Sequence, residues 1–180
     1  MTRTTRLAAT ATAFAVAALI PLTAAPAHAA TGPATHDGLT WQVVATGPQG
    51  TVEVGGGSGN ASNPYHGDTP ATATLPVLCL GVDDSPAPAG ITIGFFSGWA
   101  QGTLAVSRPV KGSRLNSRAA ADTICQSTFG IGWRQAEFHD GHYGPDLAQT
   151  GGWNFWGYGT LPTDTRFWIA IDTNPANPWN

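Results

Sequence analysis

The sequence predicts an α+β fold: one compact, β-rich domain with one main helix and one disulfide. Three observations support this prediction. Short apolar stretches recur along the chain, separated by turns that many of its 23 Gly and 14 Pro residues mark. Residues 117–129 have the periodicity of an amphipathic helix. The two cysteines follow an export signal, and export to an oxidising compartment favours disulfide formation.

Residues 1–29 have the three parts of a secretory signal peptide. Arg3 and Arg6 form the basic start, residues 7–20 are an apolar run without charge, and a series of small residues leads to Ala29. At about 1.5 Å per residue the apolar run reaches only about 21 Å, short of a bilayer core of about 30 Å. We therefore expect cleavage after Ala29, a secreted extracellular chain and no membrane span.

Charged residues are scarce, at 11% of the chain against about 25% in an ordinary domain. Removing residues 1–29 leaves six of the eight basic residues and all eleven acidic ones, a net charge of −5. A net acidic surface disfavours nucleic acid as a partner. Hydrophobic residues make up 42% of the chain, which is enough for one core, and we expect a monomer.

The domain organisation follows from where turn residues cluster. Residues 30–74 are predicted to form a loop-rich N-terminal segment with one strand, at 39–46, because Gly and Asn dominate the stretch after it. Residues 75–180 are predicted to form the main globular domain. Its predicted strands lie at 75–82, at 91–96 and 103–107 as a hairpin around 98–102, at 133–138 and at 167–172. The last alternates apolar side chains on both faces and is expected to be central.

The helix has a start and a stop signal. Asn116 or Ser117 can cap its first turn, and Gly130 occupies the position where a C-terminal glycine is favoured. Ile131 is expected to fold back on the last turn. The helical spacing places four residues on one face, which carries Cys125 inward: Ala121, Ile124, Cys125 and Thr128.

Cys79 and Cys125 are predicted to form the disulfide. Their separation of 46 residues closes a loop worth about 4 kcal/mol in the chain-entropy model. A reactive thiol is the alternative, and the apolar surroundings of Cys79 oppose it because such surroundings raise a thiol pKa. A bridge between these two cysteines would join the helix to the strand at 75–82.

Two resemblances follow from these elements. The helix with Cys125, the sequence Phe129-Gly130 and Trp133, and the strand at 167–169 followed by Asn177-Pro178-Trp179 together resemble C-type lectin-like domains. That resemblance implies sugar binding and calcium as a candidate cofactor, although the chain has no Glu-Pro-Asn, Gln-Pro-Asp or Trp-Asn-Asp triplet. Residues 132–141, of the form GWRxAEFHDG, also look like a motif of uncharacterised secreted bacterial proteins.

Residues 137–146 concentrate ionisable side chains just after a predicted strand, where sites are often built. They admit three interpretations: a structural turn, a metal or cation site, and an acid/base pair of His139 with Asp140. The spacing matches neither the zinc-protease helix nor the calcium loop. The candidate metal ligands are Glu137, His139, Asp140 and His142.

Aromatic residues cluster between the glycines at 151–159. Alternation places Trp153 and Phe155 on one side of a strand, and Asn154, Trp156 and Tyr158 on the other. One side can fill the core while the other stays exposed, and exposed indole or phenol rings stack on sugars. The predicted binding residues are Trp153, Asn154, Trp156 and Tyr158, with Glu137 and Asp140 as a polar rim.

These features together favour a secreted module that binds glycans or cell-envelope polymers noncovalently through an aromatic platform. The balance of observations is against an enzyme, because the sequence shows no nucleophile elbow. The alternatives are a small secreted hydrolase that uses the His139/Asp140 cluster and an extracellular protein-interaction or inhibitor module.

Overall fold

The computed structural model describes residues 36–58 and 61–180, so the predicted signal peptide lies outside the described residues. No helix in these ranges is long and apolar enough to cross a membrane. The described strands and helix are β1 (Asp37–Gly38), β2 (Thr40–Thr46), β3 (Thr51–Gly55), β4 (Thr69–Pro70), β5 (Thr74–Leu75), β6 (Leu78–Val82), β7 (Gly98–Val106), β8 (Val110–Lys111), α1 (Arg118–Phe129), β9 (Trp133–Gln135), β10 (His142–Tyr143), β11 (Gln149–Thr150), β12 (Asn154–Tyr158) and β13 (Phe167–Trp168).

Nine of these strands form one sheet. Its main path runs β11-β10-β7-β12-β3-β2-β13, and β6 pairs with β7 and with β9. The pairing of β12 with β7 is parallel, whereas the other strand pairs of this sheet are antiparallel. The β-rich α+β class with one helix is therefore confirmed for the described part of the chain.

The N-terminal segment supplies two strands of this sheet where the sequence predicts one. β2 and β3 pair antiparallel, with Val43 opposite Val54, and β12 then pairs with β3, with Phe155 also opposite Val54. The turn between β2 and β3 is fixed by Thr51, whose Oγ1 donates to the Pro48 carbonyl at 2.8 Å. Residues 40–55 thus lie inside the sheet of the main domain.

The predicted hairpin of 91–96 with 103–107 is wrong. Residues 98–106 form the single strand β7, and residues 83–97 form a long loop that includes a tight turn between Gly94 and Ser97. The reason lies in the glycines, because a Cβ on Gly98 would lie 2.4 Å from the Gly141 Cα and a Cβ on Gly102 would lie 2.2 Å from the Gly81 carbonyl oxygen. These glycines let neighbouring backbones approach closely within the sheet instead of forming a turn.

The helix and the disulfide are confirmed. The Ser117 hydroxyl accepts from the Ala120 N–H at 3.1 Å, and Gly130 ends the helix at φ 109°. Cys79 on β6 and Cys125 on α1 are bonded and fully buried, and they join helix to sheet as expected. Ile131 does not fold back: it is fully exposed, since Gly130 and Gly132 both have positive φ and carry the chain away from the helix.

The main core lies on one face of the sheet. Trp41 is at its centre, with its ring 5.3 Å from those of both Phe138 and Phe155. Residues 167–171 are buried on both faces as predicted, but only Phe167 and Trp168 pair as a strand, and this strand lies at the end of the main path of the sheet and not at its centre. Single bridges from Trp168 to Val77 and from Ala170 to Glu137 hold the segment within the domain.

Candidate functional site

A sharp backbone corner at Gly151, Gly152 and Trp153 begins the candidate site. A Cβ on Gly151 would lie 2.1 Å from the Phe95 carbonyl oxygen, and one on Gly152 would lie 2.6 Å from Cε1 of Phe138. Both positions therefore require glycine. Trp153 follows with φ 83°, which is a rare conformation for a bulky residue, and its side chain is 41% exposed. The backbone thus turns an indole ring outward at the end of the core.

One wall of the site consists of rings that contact the aromatic residues of the core. The Trp153 ring lies 5.6 Å from the Phe138 ring in an edge-to-face arrangement, and Phe138 is packed on Trp41. The His139 ring lies 5.0 Å from the Phe138 ring. Phe138 is buried, so it fixes the positions of Trp153 and His139, which reach the surface.

A second wall comes from the tight turn at residues 94–97, called the FF turn below. Gly94 and Ser97 exchange two backbone hydrogen bonds, which places Phe95 and Phe96 at the tip. Phe95 is 48% exposed and Phe96 is 64% exposed. The Phe95 ring contacts the Tyr143 ring edge-to-face at 5.8 Å, and the Phe95 carbonyl accepts from the Gly152 N–H at 3.1 Å.

Tyr65 forms a third side. Its loop is built by local side-chain to backbone bonds, since the Asn63 side-chain oxygen accepts from the Tyr65 N–H at 3.0 Å and from the His66 N–H at 3.1 Å. Asp68 in turn accepts from the Asn63 N–H at 3.1 Å. The loop is therefore ordered from within, while the Tyr65 ring is 59% exposed.

These three sides enclose a cleft of about 300 Å³, called the aromatic cleft below. Its lining residues are Pro64, Tyr65, Phe95, Phe138, His139, Thr150, Gly151, Gly152, Trp153, Ile171 and Asn174. None of these lining residues is Lys, Arg, Asp or Glu. The cleft therefore offers aromatic surface together with the polar groups of His139, Thr150 and Asn174.

Glu137 holds the His139 imidazole in place. The Glu137 carboxylate is buried and accepts three hydrogen bonds, from the His139 N–H at 2.6 Å, from His139 Nδ1 at 3.1 Å and from the Asp172 N–H at 3.0 Å. An ionised carboxylate only accepts, so Nδ1 carries a proton in this arrangement. Nε2 is then the ring nitrogen left for other partners. The histidine is therefore paired with Glu137, where the sequence suggested Asp140.

The Asp140 carboxylate forms an ion pair with the Arg134 guanidinium. The guanidinium donates to both carboxylate oxygens, at 2.8 and 2.6 Å, and Asp140 also accepts from the Glu137 N–H at 2.7 Å. Burial by itself lowers the pKa of Arg134, but the hydrogen bonds and the charge of Asp140 outweigh it and raise the pKa above its ordinary value. This bidentate pair fixes the turn that carries His139.

The four metal candidates do not converge. His142 lies on β10 opposite Trp99 and Thr150, while Glu137 and Asp140 are engaged by protein donors. Across residues 36–58 and 61–180, no three side chains of His, Cys, Asp or Glu are grouped as metal ligands would be.

Trp156 and Tyr158 lie away from the aromatic cleft. They project from the face of the sheet opposite Phe155, and neither lines the cleft. Trp156 Nε1 donates to Ser97 Oγ at 2.9 Å, and the Tyr158 hydroxyl donates to the Pro86 carbonyl at 3.1 Å. Asn154 is on the same face and packs over Gly55. Of the four predicted binding residues, the structure places only Trp153 in the cleft.

Sequence reasoning missed Tyr65 and Phe95, which line the cleft, and Phe96, which contacts Phe95 at the tip of the FF turn. The signal for the last two was present, since an apolar Phe-Phe pair between Gly94 and Ser97-Gly98 is typical of an exposed turn tip rather than of a strand. Tyr65 follows Asn63-Pro64, which is also a turn signal. In comparisons with protein-family models, curated proteins and solved structures, no match to this chain was found.

Proposed function

We propose that this chain is a secreted, noncovalent binding module that takes neutral glycans or the neutral sugar segments of cell-envelope polymers into the aromatic cleft. The observation that carries the proposal is the convergence of Tyr65, Phe95 and Trp153 on one cleft while each stays at least 41% exposed. Exposed aromatic rings grouped in one concave site are typical of a binding surface.

The chemistry of the lining favours a sugar. Aromatic rings stack on the apolar faces of pyranoses, and a few polar groups then fix the orientation of the hydroxyls. His139 Nε2 can accept from a hydroxyl because Glu137 binds the Nδ1 proton. Without a charged side chain in the lining, an ionic ligand would lose its hydration and find no counter-charge there.

Backbone strain at Trp153 also supports the proposal. A non-glycine residue with positive φ costs of order 1–3 kcal/mol, and such residues cluster at functional sites. A glycine at position 153 would adopt φ 83° without a steric penalty, because it has no Cβ. The chain keeps a tryptophan there, which is explained if the indole contacts a ligand.

Part of the C-type-lectin-like resemblance belongs to this proposal: the arrangement of helix and strand, without calcium. A disulfide-linked helix that precedes a buried C-terminal strand supports a C-type-lectin-like arrangement. We propose binding without calcium or another cofactor, because the carboxylates that calcium would need are engaged by Arg134 and by backbone N–H groups.

A glycan array and a cell-wall pull-down test the proposal. The purified chain, its Trp153→Ala variant and its Ile131→Ala variant are compared with calcium and with chelator, at low and at high salt. We expect Trp153→Ala to weaken binding by about 1–3 kcal/mol, a loss typical of an aromatic anchor. Ile131→Ala, an exposed apolar control outside the cleft, should bind as the parent does. Loss of binding in chelator or at high salt would contradict a neutral, cofactor-free site.

A small hydrolase is the second candidate, and the pairing of His139 with Glu137 favours it. A histidine oriented by a carboxylate can act as a general base through Nε2. His139→Ala should abolish turnover of sugar or ester substrates if this candidate is right. Binding by the parent chain without release of product would instead leave the binding module as the function.

A further inference from the structure

We propose that Trp156, Ser97 and Glu53 form a latch that positions the FF turn, and hence one wall of the aromatic cleft, from the opposite side of the sheet. This inference rests on the proposed function for its binding consequence. The latch itself is defined by geometry, so it can be tested with or without a ligand.

The latch is a chain of two hydrogen bonds. Trp156 Nε1 donates to Ser97 Oγ at 2.9 Å, and Ser97 Oγ donates to the Glu53 carboxylate at 2.6 Å. Trp156 and Glu53 are directly paired neighbours on β12 and β3, so both come from the middle of the sheet. Ser97 is the last residue before β7 and closes the FF turn through its bonds with Gly94.

The FF turn needs such an anchor because its own apolar side chains are not buried. Phe96 is 64% exposed and Phe95 is 48% exposed, so hydrophobic burial contributes little to the position of the turn. What remains are the Phe95 contact with Tyr143, the bond from the Gly152 N–H to the Phe95 carbonyl, and the latch. Backbone pairing of Gly98 with Phe155 places the start of β7 on the sheet, and the latch adds side-chain bonds that tie Ser97, inside the turn, to the same part of the sheet.

The other end of the loop has separate anchors. Trp99 Nε1 donates to the Ser85 carbonyl at 2.7 Å, and the Tyr158 hydroxyl donates to the Pro86 carbonyl at 3.1 Å. Trp99 is fully buried, and its ring lies 5.1 Å from the Tyr158 ring. These contacts hold residues 85–86, whereas the latch holds residue 97 beside the cleft. Tyr158 is therefore a matched control for Trp156.

The latch acts on binding through the FF turn. If the bond to Ser97 is lost, the turn samples more positions, and the fraction of molecules with Phe95 in place falls. The apparent affinity falls by the same factor. Trp156 and Ser97 are thus positioning residues, which line no part of the cleft themselves.

The test compares Trp156→Phe, Ser97→Ala, Ser97→Thr and the control Tyr158→Phe. Amide hydrogen exchange is followed at Ser97 and Gly152, and affinity is measured by gel retardation in hydroxyethylcellulose, mannan and β-1,3-glucan. We expect Trp156→Phe, which removes one hydrogen bond, to speed exchange at both amides and to weaken retardation about fivefold, the size of one hydrogen bond. Ser97→Ala, which removes both bonds of the latch, should have at least as large an effect. Adding Trp156→Phe to Ser97→Ala should change nothing further, and Ser97→Thr should retain the parent behaviour. Tyr158→Phe should leave both readouts within about twofold.

The outcomes separate the two proposals. Unchanged exchange in Trp156→Phe overturns the latch, whatever the chain binds. Faster exchange with unchanged retardation overturns its role in binding. If none of the three polysaccharides retards the parent chain, the neutral-glycan function fails, and the exchange data alone decide whether the latch holds the turn. Additive losses in the double variant would also contradict a single hydrogen-bonded chain.

Discussion

Replacing Trp153 by glycine and by alanine separates the strain at this position from the contacts of its side chain. Both changes remove the indole, including its edge-to-face contact with Phe138 at 5.6 Å. They differ only in the backbone, because glycine adopts φ 83° without penalty and alanine does not. We therefore expect the glycine variant to be more stable than the alanine variant at this position, whereas in a regular strand the alanine variant is the more stable of the two.

The magnitudes follow from the structure. Truncating a buried tryptophan costs about 3–5 kcal/mol, and Trp153 is 41% exposed, so roughly half of that, about 2 kcal/mol, is expected for the lost contacts. The left-handed conformation costs a non-glycine residue about 1–2 kcal/mol, against about 0.5–1 kcal/mol for the greater chain entropy of glycine. Trp153→Gly should thus be more stable than Trp153→Ala by about 0.5–1 kcal/mol.

Urea unfolding of both variants measures this difference, with the m-values compared to check that the unfolded states match. Trp156 provides the matched control, since it lies in strand β12 and its φ is not positive. There the glycine variant should be less stable than the alanine variant by about 0.5–1 kcal/mol. The same order at both positions would refute the argument from backbone strain. Both Trp153 variants should lose glycan binding to the same extent, because the ring is absent from each.

Three further changes probe the fold around the site. Gly152→Ala should destabilise the chain by about 1–3 kcal/mol and weaken binding, because the new methyl group would lie 2.6 Å from the buried Phe138 ring. Thermal unfolding measures the loss of stability. A variant as stable as the parent would show that the backbone corner can relax. Reducing the Cys79–Cys125 disulfide should lower stability by about 4 kcal/mol, given the 46-residue separation, and a loss below about 1 kcal/mol in urea would contradict the chain-entropy account. Ile131→Asp should change the free energy of unfolding by no more than about 0.5 kcal/mol, because this side chain is fully exposed. A large loss of stability in urea would instead support the packing of Ile131 on the helix that the sequence suggested.

The local elements were predictable where neighbours along the chain decide them. The span of α1, its Ser117 cap and its glycine stop depend on residues within one or two turns, and the structure reproduces them. The Cys79–Cys125 pairing was predictable because export and the presence of only two cysteines leave one bridge within the chain. Burial of residues 167–171 followed from their alternation of apolar side chains on both faces.

The candidate site was predicted only in part, since its walls come from distant segments. The sequence groups Trp153, Trp156 and Tyr158 as one aromatic platform, but only Trp153 lines the cleft. What distinguishes them is the loop at 83–97, whose contacts with them span 59 and 72 positions of the sequence. No local pattern reports that a loop so far away will cover one face of β12.

By itself, the sequence determined the β-rich class, the helix and the disulfide, because periodicity, capping and cysteine count act over short distances. Only the tertiary structure decided which glycines form turns and which allow strands to approach, and which aromatic rings face the cleft. Gly98 has the same chemistry in either role, and the Gly141 backbone beside it makes the choice. That neighbour is set by the sheet, because strand pairing brings together residues that the chain keeps far apart.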